Sequence, residues 1–364
     1  MQIILLSTTT GDHGGIRQAW YLARALRDAG YGVDFVCYAD SWFAHTYPDS
    51  GWTALPEGKL GALPSIERTL RSLMPPGKNV IVHAFHNWGV KLASYLGTFW
   101  RLRGLPVACV AHRGVTRRPG NPLPYLLPGL RAYLVNSPEC AAQLPLLWRR
   151  RRCLVVSNSI PPERLLCTRT PEETRAELAI SPRHFVFGDV AHDKPEKGVE
   201  RLLRAYALVA PREPLSTLVV VGVDPARWLP LAEKLGLAGK VRFVPRTENV
   251  ANYMQIFSLF VFPSYFIESQ PNVVMEAMSL GKPVIGGDLG QVKNMLGSAY
   301  VFPPGEVEGM AAMMLKAARD LEFTRAGAAA NLERSRDFST ATRLRKVLGV
   351  YRAVLAESGF TEQE

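Results

Sequence analysis

Leu259-Phe-Val-Phe-Pro-Ser-Tyr-Phe-Ile-Glu-Ser-Gln-Pro-Asn-Val-Val-Met-Glu-Ala-Met-Ser-Leu-Gly281 changes periodicity halfway along. Leu259–Phe262 is a short, continuous apolar run of the kind found in a strand buried on both faces, and Pro263 ends it. From Val273 onward the apolar residues Val273, Val274, Ala277 and Leu280 fall on one helical stripe. Asn272 or Ser269 can cap that helix, Gly281 stops it and Pro283 cannot extend it. The segment therefore reads as strand, acidic loop, helix. Glu268 falls in the loop and Glu276 near the edge of the apolar stripe, away from the solvated face, so both carboxylates can address one cleft. Two glutamates in a charged chain are ordinarily surface residues, and the surroundings have to decide between the readings.

Outward from this segment the same alternation recurs. Strand-like runs stand at Ile3–Ser7, Val33–Tyr38, Val80–His83, Val107–Ala111, Tyr133–Asn136 and Leu154–Ser157. A second series follows at Phe185–Val190, Thr217–Val221, Val241–Val244, Leu259–Phe262, Pro283–Gly286 and Tyr300–Phe302, with helices at Val199–Ala210, Leu229–Lys234 and Val273–Leu280. Alternating strands and helices make parallel sheets covered on both faces. With 364 residues, two domains are expected: an α/β fold of two doubly wound, Rossmann-like sheets, residues 1–160 and 161–339. The break is placed at Ser157-Asn-Ser-Ile-Pro-Pro-Glu-Arg164, and a terminal helix within 340–364 is expected to pack back on the first domain. Ligands of open parallel sheets bind beyond the carboxyl ends of the strands, so two such domains facing each other form a ligand cleft.

Composition bounds the function. Residues 1–160 hold 18 Lys and Arg against 8 Asp and Glu, whereas residues 161–364 hold 25 against 24, so nearly all of the net charge of +11 lies in the first half. That half suits an anionic acceptor or surface. Leu146-Leu-Trp-Arg-Arg-Arg-Arg152 mixes apolar and cationic groups as an anionic membrane surface requires, and Arg113, Arg117 and Arg118 add to this character. No helix, zinc or aromatic-platform signature of nucleic-acid binding accompanies the charge. The N-terminus reads as a first strand without a basic leader. Ile256 to Phe266 is too short and too interrupted to span a bilayer. Five cysteines (Cys37, Cys109, Cys140, Cys153, Cys167) without metal-like or CxxC spacing fit unpaired thiols in a reducing cytoplasm. The expected location is thus cytoplasmic, with peripheral attachment at the inner face of the membrane.

Candidate chemistry lies at strand ends. Gly11-Asp-His-Gly-Gly15 precedes a helix and suits an oxyanion at a positive helix end, with Gly14 and Gly15 allowing close backbone approach; a plain tight turn is the competing reading. Lys194 and Lys197 lie in Gly188-Asp-Val-Ala-His-Asp-Lys-Pro-Glu-Lys-Gly198, between strand and helix, where Lys197 can neutralise a departing diphosphate. No Asp-x-Asp and no His–carboxylate cluster has metal-ligand spacing, so no metal and no cofactor is expected. His83, His86 and His112 follow neighbouring strands, and His112 is the first choice for contact with a substrate hydroxyl or phosphate.

With these residues in view, nearly the whole chain resembles a retaining glycosyltransferase of the GT-B group, family 4 type (glycosyltransferase group 1). The resemblance rests on Glu268-x7-Glu276 within Glu-Ser-Gln-Pro-Asn-Val-Val-Met-Glu-Ala-Met-Ser-Leu-Gly-Lys-Pro-Val, on Gly14-Gly15 with the helix after it, on Pro195-Glu-Lys-Gly198 and on Val220-Val-Gly222. It implies that Glu268 contacts the transferred sugar and Glu276 the nucleotide ribose, while Ser269, Gln270, Pro271 and Asn272 line sugar and diphosphate. It further implies that Lys197 grips the diphosphate, Gly15 approaches it, and His112 lines the sugar and acceptor. The family's usual arginine before the lysine is matched by His192, with Lys194 nearby. The Gly-x-Gly expected after Val221 reads Gly222-Val-Asp, and the late Gly-Gly-x-x-Glu motif reads Gly290-Gln-Val-Lys-Asn294. The implied reaction moves a hexose from a UDP- or GDP-sugar to a saccharide or lipid-linked cell-envelope acceptor that can carry phosphate. Rival readings are a nucleotide-sugar epimerase, a dinucleotide oxidoreductase with Asp40 as its ribose acid, and a noncatalytic basic membrane scaffold.

Overall fold

The computed structural model describes residues 1–58, 60–144 and 153–359. The arginine run ending at Arg152 lies outside the described residues. Two compact units divide the chain, Met1–Ser159 together with the segment from Thr340 onward, and Ile160–Ser339.

The first unit is built on strands β1 (Gln2–Ser7), β2 (Gly32–Cys37), β3 (Trp52–Ala54), β4 (Val80–Phe85), β5 (Val107–Arg113), β6 (Leu130–Val135) and β7 (Cys153–Val155). They form one parallel sheet in the order β3-β2-β1-β4-β5-β6-β7. Successive side chains of a strand leave on opposite faces. Ile3 and Leu5 of β1 accordingly enter a core with Ile16, Ala19 and Leu22 of the helix Gly14–Asp28, whereas Ile4 and Leu6 enter another with Val90 and Leu96 of the helix His86–Leu102. The helix Thr340–Glu357 returns to the first of these cores and buries Val347, Val350, Tyr351, Val354 and Leu355 there. Each fully buried aliphatic side chain of this kind contributes roughly 1.5–3 kcal/mol.

The second unit holds β8 (Phe185–Val190), β9 (Ser216–Val221), β10 (Val241–Val244), β11 (Leu259–Phe262), β12 (Val284–Gly287) and β13 (Val301–Phe302), all parallel, in the order β10-β9-β8-β11-β12-β13. Leu259 and Val261 face a core shared with the helices Val199–Val209 and Val307–Arg319, while Phe260 and Phe262 face the core of the helix Asn272–Ser279. In both sheets the order reverses at the first strand, between β1 and β4 and between β8 and β11. These reversals open crevices at the carboxyl ends, the usual ligand positions of such sheets.

One local expectation needs correction. The helix Asn272–Ser279 is preceded by Pro271 as its cap residue, with no side-chain cap bond, so neither Asn272 nor Ser269 caps it. Proline fits because the amide it lacks would be unsatisfied at a helix start. Glu276, expected near the edge of the apolar stripe, is only 3% exposed, because the helix is buried well beyond that stripe, with Met275 and Met278 wholly buried as well. Among the described residues no helix is long and apolar enough to cross a membrane.

Candidate functional site

In the second unit the strand-to-helix connections at the reversal point bring the predicted residues together. After β8 the chain passes His192 and Lys194, makes a short 3-10 turn at Pro195–Lys197, and starts the helix Val199–Val209 from Gly198. Gly198 has φ +78°, and a Cβ there would lie 2.2 Å from the Pro263 carbonyl oxygen, so only glycine lets the two loops approach. That approach places Lys197 Nζ 2.6 Å from Glu268 Oε1, with both side chains about three-quarters buried. Ser264 Oγ lies 3.3 Å from the same carboxylate oxygen and 3.2 Å from the Glu196 carbonyl. Gly290, at φ +54°, packs so close to the Glu268 carbonyl that a Cβ would come within 2.7 Å. Glu268 is thus held by three connections, and the departures around Gly290 leave the required close approach intact.

His192 and Lys194 are exposed. Asp193 between them binds the next connection: its Oδ2 accepts from the Asp224 N–H at 2.7 Å, its Oδ1 from Trp228 Nε1 at 2.5 Å, and its carbonyl from Arg227 Nη1 at 2.7 Å. Asp224 caps the helix Pro225–Lys234. Gly222 at φ +95° would place a Cβ 2.4 Å from the Ala191 carbonyl oxygen. In Gly222-Val-Asp the glycine permits the close approach and the aspartate caps the helix.

Glu276 pairs with a residue the sequence reading did not single out. Arg164 Nε and Nη2 each lie 3.0 Å from Glu276 Oε1, and Arg164 Nη1 donates to the Glu248 carbonyl at 2.7 Å. A carboxylate this deeply buried is tolerated when a cation accompanies it. Asp189 on β8 was also passed over. It is 1% exposed, its Oδ2 has no hydrogen-bond partner among the described residues, and burial pushes its carboxyl up to about 8. The backbone at Val190 and the charge of Lys197 oppose that shift, and Glu268 adds to it. Asp189 is therefore largely protonated at neutral pH and adds little negative charge beside the Lys197–Glu268 pair.

The first unit gathers imidazoles at the carboxyl ends of β1, β4 and β5. Gly14 and Gly15 open the helix Gly14–Asp28, whose cap residue is His13. His13 Nδ1 accepts from the Gly15 N–H at 3.2 Å and its Nε2 lies 2.7 Å from Thr9 Oγ1. A Cβ on Gly15 would fall 2.9 Å from His86 Nε2, and His86 itself adopts the left-handed φ of +66°, uncommon outside glycine. His112 stacks on Phe85 with ring centroids 4.7 Å apart and is 7% exposed. Burial, followed by the charges of His83, Arg343 and His86, holds its pKa well below the ordinary value. It is a neutral ring able to exchange a hydrogen bond with a hydroxyl. His83 is wholly buried and bonds Tyr351 through Nδ1 at 2.6 Å; it packs the core and does not reach a ligand position. Arg113 is likewise structural, donating to Asn87 at 2.8 Å, to Tyr125 at 3.1 Å and to the Arg117 carbonyl. Arg343 joins the return helix to the carbonyl and Oε1 of Gln18 at 3.0 and 2.7 Å.

Among the described residues no three His, Cys, Asp or Glu side chains gather as a metal-holding group. The second unit offers a cation against a loop carboxylate at the strand-order reversal and a buried carboxylate on the helix that follows, groups that can hold an anion and several hydroxyls. The first unit offers glycine amides at a helix start and a neutral imidazole.

The family Glycosyl transferases group 1 matches residues 181–320. D-inositol 3-phosphate glycosyltransferase of Rhodococcus opacus is 34% identical over 130 residues, which is 33% of this chain and 29% of that protein. Lipopolysaccharide glucosyltransferase WaaG of Escherichia coli is 31% identical over 139 residues, 37% of each. The matching stretches thus span well under half of these relatives. Whole-fold likeness is broader. Anabaena Alr3699/HepE, solved in complex with UDP, superposes with a TM-score of 0.80 at 17% identity over 97% of this chain and 100% of that one. A Rickettsia africae glycosyltransferase gives 0.81 at 16% identity over 97% and 99%. The fold is GT-B, and residues 181–320 match the group 1 family.

Proposed function

We propose that this chain, carrying a glycosyl transferases group 1 domain, is a retaining hexosyltransferase that moves a sugar from a nucleoside diphosphate donor to a hydroxyl of a saccharide or lipid-linked acceptor without a metal ion. The observation that carries the reading is the Lys197–Glu268 contact of 2.6 Å at the β8/β11 reversal, with buried Glu276 on the following helix. Lys197 takes the departing diphosphate, Glu268 orients the hydroxyls of the transferred sugar, and Glu276 accepts from the ribose hydroxyls. The loop Ser269–Asn272 lines sugar and phosphates, Gly222, His192 and Lys194 border the donor, and Gly14, Gly15 and His112 serve the diphosphate, sugar and acceptor. Retention needs no carboxylate nucleophile. As the glycosidic C–O bond to phosphate breaks, the departing phosphate oxygen takes the acceptor's proton on the same face, and positioned donors stabilise its developing charge. The likeness to a fold solved with UDP supports a nucleotide donor, and the basic first half of the sequence supports a phosphate-bearing acceptor.

Removing one well-placed donor to a developing oxyanion costs roughly 3 kcal/mol, or about 100-fold in rate. Lys197→Ala is therefore expected to lower transfer from UDP- or GDP-sugars at least that far, and Glu268→Gln, which removes the charge that orients the sugar hydroxyls, is expected to lower it too, while the variants stay folded and chelator leaves the parent unaffected. Full activity in both variants overturns the assignment, and equal transfer to phosphorylated and unphosphorylated acceptors removes the anionic-acceptor part.

A further inference from the structure

Arg164 stands on the 3-10 turn Pro162–Leu165, far from Glu276 in sequence, yet it pairs with that buried carboxylate. Two guanidinium donors converge on Oε1 at 3.0 Å, while the third direction of the fork is fastened to the Glu248 carbonyl at 2.7 Å. Both contacts fall on one oxygen, and the arginine is itself tied to the connection that follows β10. A guanidinium fixed at both ends defines the rotation of the carboxylate, because its planar fork admits few orientations. A ribose presents vicinal hydroxyls, and a carboxylate accepts both only when ionised and correctly rotated about its terminal torsion.

We propose that Arg164 is a positioning residue for nucleotide ribose recognition, setting the charge and rotation of Glu276 so that the carboxylate distinguishes ribose from deoxyribose. The inference rests on the reading of Glu276 as the ribose acid. Arg164 touches no reacting atom in this scheme and works entirely through Glu276. Its loss should therefore weaken ligands that carry the 2′-hydroxyl and leave their deoxy counterparts much less affected. A purely structural arginine would weaken both alike.

The test measures dissociation constants of UDP and 2′-deoxy-UDP, and of GDP and 2′-deoxy-GDP, for the full chain by calorimetry. The ratio within each pair is compared among the parent, Arg164→Met, Arg164→Lys and Glu276→Gln. A hydrogen bond to a charged group is worth roughly ten- to hundred-fold in affinity, so the parent ratio is expected in that range for the base that binds. The ratio should fall below about 3 in Arg164→Met and Glu276→Gln and recover in part in Arg164→Lys. It compares two ligands on one preparation, so a partly unfolded variant does not distort it, and Arg164→Lys serves if Arg164→Met does not fold. A parental ratio retained by Arg164→Met overturns the inference while leaving Glu276 in place. A parent that binds both forms equally overturns the ribose role of Glu276 and the inference with it. A parent that binds neither diphosphate overturns the UDP- or GDP-donor reading on which the inference rests.

Discussion

Asp189→Asn should make the second unit insensitive to pH over a range where the parent weakens steadily. In the folded chain burial raises the Asp189 carboxyl to about 8, against roughly 3.9 for an aspartate in an unfolded chain. Between those values the folded state holds a proton that the unfolded state has released. Stability then falls as pH rises, at about 1.4 kcal/mol per unit and to a total of roughly 6 kcal/mol once both states are ionised. Asparagine keeps the shape and a hydrogen-bonding amide but cannot titrate. Amide exchange of β8 peptides, corrected for the intrinsic pH dependence of exchange, reads the local opening free energy. The parent should lose about 4 kcal/mol of protection from pH 5 to pH 8, and Asp189→Asn should lose less than about 1. Glu268→Gln should shallow the parental slope near neutrality, because the Glu268 charge raises the Asp189 pKa. Equal slopes in parent and Asp189→Asn would refute the reasoning, since no other side chain is invoked to carry it.

The remaining expectations concern two glycines and two histidines. Gly198→Ala adds a Cβ at φ +78° and 2.2 Å from a carbonyl oxygen, whereas Gly236→Ala at φ +70° meets nothing within 4 Å. The first should cost at least about 3 kcal/mol and the second about 1; equal melting temperatures for the two variants would show that the Pro263 contact yields freely. His83 and His86 are pushed down to about 3 by burial, so the unfolded chain binds more protons than the folded one between about 3 and 6.5. Stability of the first unit is then lost as pH falls through that window, opposite in sign to Asp189. The ring resonances of both histidines in NMR should stay at their neutral positions from pH 8 to pH 5, and a midpoint above 5 contradicts their burial.

Two parallel sheets were legible because β1, β4, β5, β8, β9 and β11 are mostly aliphatic and aromatic runs separated by helical spacing. β3 was not legible: Trp52–Ala54 is a three-residue edge strand beyond β2, and too short to carry a period. The site divides in the same way. Lys197 and Glu268 stand at strand ends, where the chain order itself predicts convergence, and they meet at 2.6 Å. Arg164 meets Glu276 only through the packing of a turn on a distant helix, a relation no local pattern encodes. Asp189 carries no signal of its own in Phe185–Val190, because alternation cannot tell a solvated carboxylate from a buried, protonated one. His13 carried a fainter signal, a polar residue directly before two glycines and an apolar helical stripe, which is where a helix cap belongs.

The return of Thr340–Glu357 to the core of β1, β2 and β4 also sets a schedule for biosynthesis. Residues 160–339 emerge from the ribosome as one uninterrupted stretch and can complete their own sheet as they appear. The first unit, although translated earlier, must wait with an uncovered apolar seam for Val347, Val350, Tyr351 and Val354. The half made first is therefore finished last, and a chaperone that guards nascent apolar surface would find its longest-lived target there.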